Sequence, residues 1–76
     1  MLELYGTASC PYTAQMREEL QWKREPFVEY DVEQDARALA RMIEICGGDR
    51  TVPVLADGER VLQVGYEGRG CYAGGA

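Results

Sequence analysis

Leu2-Glu3-Leu4-Tyr5-Gly6-Thr7-Ala8-Ser9-Cys10-Pro11-Tyr12-Thr13 decides how the rest of the chain is read. Leu2 to Tyr5 is a short β-pattern, Gly6 ends it, and Thr7-Ala8-Ser9 reads as a loop. Proline suits the first turn of a helix, where its missing N–H is not needed, so a helix is expected from Pro11 with Ser9 or Cys10 as the N-cap. Cys10 then stands where a strand gives way to a helix. Unpaired backbone N–H groups and the helix dipole favour an anion there. A thiol so placed drops below its ordinary pKa of about 8.5 and becomes a reactive thiolate.

Downstream, Tyr12, Met16 and Leu20 recur at four-residue spacing among polar residues, which predicts an amphipathic helix stopped by Pro26. Phe27-Val28-Glu29-Tyr30 reads as a second strand. Asp31, with Gln34 three residues on, reads as the capping box of a second helix. Leu39, Met42, Ile43 and Cys46 would be its inward stripe, and Gly47-Gly48 its end. Asp49 to Pro53 reads as a loop into the strand Val54-Leu55-Ala56. Asp57-Gly58 reads as a two-residue hairpin turn before the returning strand Arg60–Val64. Five of the nine glycines lie past Val64, so the final helix is expected to be short or absent. The predicted order is β-α-β-α-β-β, an α/β fold with a four-stranded mixed sheet: the first two strands parallel, the last two an antiparallel hairpin. Residues 1–76 are expected to form a single domain, with 65–76 a glycine-rich C-terminal segment.

Composition narrows the function. Of the 76 residues, 46% are hydrophobic and 28% charged, ordinary for a soluble globular domain. No apolar run approaches the roughly 20 residues of a membrane helix, and the N-terminus lacks a secretory pattern. The net charge of −5 argues against nucleic acid as partner. Histidine is absent, which removes Cys-His and Ser-His catalysis and every His-containing zinc site. The three cysteines, Cys10, Cys46 and Cys71, form no Cys-x-x-Cys pair. Their odd number fits neither a disulfide-stapled secreted domain nor a structural metal site, and a reducing, cytoplasmic setting with an active thiol is expected. Cys46, on an apolar helical stripe, reads as core filler.

Gly6-x-x-x-Cys10-Pro11-Tyr12-Thr13, then Tyr30-Asp31-Val32, Arg50-Thr51-Val52-Pro53 and Asp57-Gly58, in this order and spacing, resemble a glutaredoxin. The similarity spans residues 2 to 67. It implies a thioredoxin-like fold that reduces disulfides and glutathione mixed disulfides. Cys10 would be the nucleophile and Pro53 a cis-proline that turns the Val52 backbone towards the thiol, to pair with a bound peptide. Pro11, Tyr12, Thr13, Arg50, Thr51, Val52, Pro53, Gly65, Tyr66 and Glu67 would bind substrate or glutathione. The sequence departs from the family pattern at three places. Thr13 replaces the second cysteine of a dithiol motif, Thr7 stands where many members carry a basic residue, and Gly65-Tyr66-Glu67-Gly68 replaces a Gly-Gly-x-Asp segment. The mix is similar to a bacterial branch of short single-thiol members, some with selenocysteine at the position of Cys10.

With Thr13 in the motif, Cys71 is the candidate resolving thiol, carried by the flexible stretch Gly68-Arg69-Gly70. The resemblance implies no metal or organic cofactor, glutathione as co-substrate, protein disulfides or glutathionylated proteins as partners, and a monomer. Two rival functions belong to other classes: a glutathione-dependent iron–sulfur scaffold, against which Pro11 and Tyr12 crowd the site, and a non-catalytic redox sensor.

Overall fold

The computed structural model describes residues 1–73. Its order is β1 (Leu2–Gly6), α1 (Pro11–Trp22), β2 (Phe27–Asp31), α2 (Ala36–Ile45), β3 (Thr51–Val52), β4 (Val54–Asp57), β5 (Arg60–Val64) and β6 (Cys71–Tyr72). The main sheet runs β2-β1-β4-β5, with β1 parallel to β2 and antiparallel to β4. The expected four-stranded mixed sheet is therefore present. The addition is a second, two-stranded sheet in which β3 pairs with β6. No helix follows β5 among the described residues. The last three residues of the glycine-rich segment lie outside them.

Alternation along β1 divides the interior into two cores, because successive side chains of a strand leave opposite faces. Leu4 packs with Met16 and Leu20 of α1, with Leu2, Phe27, Leu55 and Tyr66 around them. Tyr5 joins the other core, with Val32, Ala38 and Met42 of the α2 side, and Val52, Val54, Ala56, Ala73 and Cys10. Its phenol stacks on Tyr30 at 5.3 Å and meets the Arg41 guanidinium at 3.1 Å, which satisfies its hydroxyl inside the fold. Burial pushes that phenol's pKa up. The Arg17 guanidinium grips Glu29 through two 2.7 Å hydrogen bonds and ties α1 to β2.

Four expectations need correction. The second helix begins at Ala36, capped by Asp35, whose carboxylate accepts from Arg37 and Ala38 N–H. Asp31 instead accepts from the Glu33 N–H in a turn four residues earlier, so the two aspartates compete for one role and the later one caps the helix. The buried stripe consists of Ala38 and Met42, flanked by Leu39, Ile45 and Cys46, and Ile43 lies outside the core cluster. The hairpin turn is Gly58-Glu59, because Asp57 pairs with Arg60 and also holds the N-terminal ammonium. On α1, Thr13 rather than Tyr12 completes the stripe of fully buried residues, and the helix stops at Trp22, whose indole is 86% exposed.

Candidate active site

β1 delivers the chain to Cys10, and close packing sets where α1 starts. Gly6 lies against the fully buried Thr13 side chain with no room for a Cβ. The Thr7 carbonyl accepts the Cys10 N–H at 3.3 Å, which shapes the loop. Cys10 is the N-cap of α1 and Pro11 its first residue, and the Cys10 side chain makes no capping hydrogen bond. Tyr12 and Thr13 therefore bring first-turn N–H groups that have no intrahelical acceptor. Cys10 itself is only 2% exposed.

On the other side, the Asp49 carboxylate accepts both the Thr51 N–H (2.9 Å) and hydroxyl (2.8 Å), fixing the approach to β3. The hydrogen bond from the Thr51 hydroxyl, before all else, holds the Asp49 pKa below the ordinary carboxylate range. Val52-Pro53 is a cis peptide bond, and both residues are buried. The Pro53 carbonyl accepts the Gly65 N–H at 2.7 Å, which brings the end of β5 to the proline.

Val52 faces Cys71 across antiparallel strands, and Cys71 forms a disulfide with Cys10, 61 residues away, at a Cα–Cα distance of 6.0 Å. The Ala73 N–H donates to the Arg50 carbonyl at 2.8 Å and lengthens this ladder. Cys10, Val52 and Ala73 share one buried cluster, against which Cys71 and Tyr12 pack. The structure thus brings together Cys10, Pro11, Tyr12, Val52 and Cys71. Arg50 is half-buried and enters the ladder through its backbone. Tyr66 packs in the α1-side core and its hydroxyl donates to Glu19 at 3.2 Å, on the opposite face of the sheet from the Cys10 cluster. Glu67 is exposed at the tip of the turn Tyr66–Arg69, with φ 52°. The Thr13 hydroxyl has no hydrogen-bond partner among the described residues. Cys46 is a half-buried free thiol whose pKa is raised by burial and, less, by the Asp49 carboxylate.

Two contributors escaped the sequence reading. Gly70 looks like flexibility, yet a Cβ there would stand 2.5 Å from the Val52 carbonyl oxygen. Ala73, fully buried, looks like part of a tail. The signal was the small residues on either side of the pair Cys71-Tyr72. Among the described residues no group of metal-ligating side chains forms a site, and no helix is long and apolar enough to cross a membrane.

Neither a search of curated proteins nor a search of solved structures finds a match to the chain. The family model Glutaredoxin matches residues 2–61, so Cys71 lies beyond the matched stretch. That family's members generally act as oxidoreductases on disulfides and glutathione. With the match running from β1 into β5, the last strand of the main sheet, the chain belongs to the glutaredoxin family.

Proposed function

We propose that this protein is a thiol–disulfide oxidoreductase in which Cys10 is the nucleophile and Cys71 the resolving thiol. The observation that carries the reading is the Cys10–Cys71 disulfide beside the cis-proline. In the reduced protein the Cys10 thiolate lies at the start of α1, where the Tyr12 and Thr13 N–H groups and the helix dipole stabilise its charge in place of a histidine. It attacks one sulfur of a substrate disulfide, forming a mixed disulfide and releasing the other sulfur as a thiolate. The Cys71 thiolate then attacks the Cys10 sulfur. The substrate leaves as its second thiolate, and the Cys10–Cys71 bond forms. Two electrons pass from the two protein thiols to the substrate, and two thiol protons end on its sulfurs. Two molecules of glutathione restore the dithiol and leave as glutathione disulfide. The substrates are protein disulfides or glutathionylated proteins, and the protein acts as a monomer in the reducing cytoplasm.

Intact mass after brief exposure of the reduced protein to oxidised glutathione tests the reading. The wild type should lose two hydrogens. Cys71→Ser should carry one glutathione on Cys10, and Cys46→Ser should behave as the wild type. Normal turnover of Cys71→Ser at low glutathione would remove Cys71 from the mechanism.

A further inference from the structure

Arg37 and Arg41 stand one turn apart on α2 and, with Tyr5, Tyr30, Asp35 and Ala38, line a cleft of about 200 Å³. The cleft shares no lining residue with the Cys10 site. Its sheet wall is aromatic: half-buried Tyr30 stacks on the fully buried Tyr5, ring centroids 5.3 Å apart. The Tyr5 hydroxyl accepts the Arg41 Nε–H at 3.1 Å, so a buried phenol fixes one edge of the guanidinium. The two Nη groups of Arg41 make no hydrogen bond among the described residues.

Charge sets this pair of arginines apart. The chain holds thirteen acidic residues against eight basic ones, and Arg17, Lys23 and the N-terminal ammonium each sit against a carboxylate. Among the described residues no carboxylate pairs with the side chain of Arg37 or Arg41. Asp35, in the cleft wall, commits its Oδ1 to the Arg37 and Ala38 N–H groups as the helix cap. Glu3 and Glu59 reach Arg41 through their charge alone. The Glu3 Oε1 stays buried without a hydrogen-bond partner rather than closing on the guanidinium.

We infer that the cleft binds a small aromatic carboxylate, its oxyanion between the Arg37 and Arg41 guanidinium groups and its ring on the Tyr30 face. Guanidinium forks match the two oxygens of a carboxylate, and an Arg41 fork already held by Tyr5 loses little freedom on binding. The volume suits a single ring with its charged group, since a cavity of about 150 Å³ already admits benzene. Tyr30 offers that ring an offset-stacked neighbour. The surroundings also set the charge of the ligand. Asp35, Glu3 and Glu59 repel every added negative charge, so a monoanion is preferred to a phosphate dianion. The site lies outside the thiol chemistry and uses no cysteine.

Calorimetric titration of the oxidised protein at low ionic strength tests this, with benzoate, acetate, benzamide and phenyl phosphate as probes. Benzoate should bind with a Kd on the order of a millimolar. Acetate, which lacks the ring, and benzamide, which lacks the charge, should each bind about tenfold or more weakly. Arg37→Gln and Arg41→Gln should each weaken benzoate by about tenfold. The Arg37 side chain has no partner to lose among the described residues, so Arg37→Gln should keep the wild-type melting temperature. In proton NMR spectra benzoate should shift the Tyr30 ring signals and leave those of Tyr12 and Tyr72, beside the thiol site, in place. No benzoate binding up to about 10 mM, a loss below about twofold in Arg37→Gln, or shifts at Tyr12 and Tyr72 in place of Tyr30 would each overturn the site. Acetate or benzamide binding as tightly as benzoate would overturn the aromatic carboxylate as its ligand, and tighter binding of phenyl phosphate would overturn the preference for a monoanion. Should Arg41→Gln not fold, Arg37→Gln decides alone.

Discussion

Gly6 and Thr13 compete for one space: a Cβ built on Gly6 would lie within the Thr13 side chain, 2.6 Å from its hydroxyl oxygen. Thr13 cannot easily yield, because a β-branched side chain in a helix is stiff at χ1 and this one is fully buried. Gly6→Ala should therefore cost about 2 kcal/mol and lower the melting temperature by roughly 10 °C. Calorimetry on the oxidised protein checks it. A melting temperature within a degree or two of the wild type would mean that α1 can shift freely on β1.

The Cys10–Cys71 bond closes a long loop, its ends 61 residues apart. In the chain-entropy account a loop of that size destabilises the unfolded state by about 4 kcal/mol. Reduction with a phosphine should thus lower the melting temperature by on the order of 20 °C. Cys46→Ser should show the same drop, because its thiol is not in the bond.

Just past the end of α1 and its C-cap Lys23, Arg24 stands at φ 57°, where the Glu25 N–H donates to the Leu20 carbonyl and the Arg24 N–H to that of Gln21. Left-handed backbone penalises a side chain there, and glycine is the usual occupant. Arg24 is exposed, so little packing is lost on replacing it. Arg24→Gly should raise stability by about 0.5–1 kcal/mol, measured by urea melts, while Arg24→Ala should bring little gain.

Cys46 is the free thiol of the oxidised protein, with its pKa raised first by burial and then by Asp49. Iodoacetamide labelling should therefore rise with pH at a midpoint above the ordinary thiol value of about 8.5. The folded state holds this proton more tightly than the unfolded one. Its contribution to stability is complete below the unfolded pKa and is lost as pH climbs through the folded one. Urea melts above pH 9, roughly, should show that loss in the wild type and not in Cys46→Ser.

The strand–loop–helix around Cys10 was legible because Gly6 and Pro11 each punctuate the backbone in one way. The β3–β6 ladder was not. Strands of two residues carry no periodicity, and the partners Thr51–Val52 and Cys71–Tyr72 are separated by the whole β4–β5 hairpin and the turn Tyr66–Arg69. Asp31 and Asp35 both have capping chemistry, and only tertiary packing chooses between them. The single-residue slip at the Gly58 turn has the same origin, since pairing of Asp57 with Arg60 and the N-terminal ammonium decides where the strand ends. Gly70 and Ala73 were hidden for a different reason: smallness in a sequence reads as looseness, whereas here it records how closely two backbones approach.

The exposed indole of Trp22 has a practical consequence for anyone following these reactions. It is the chain's single tryptophan and sits at the far end of the 12-residue α1, about 18 Å along the helix axis from its start at Cys10. Water surrounds it in the folded protein much as it would in the unfolded one. Tryptophan emission should then change little on unfolding, and the disulfide is too distant to quench it by contact. Optical work on this protein has to rely on the tyrosines, above all the stacked pair Tyr5 and Tyr30, or on counting thiols.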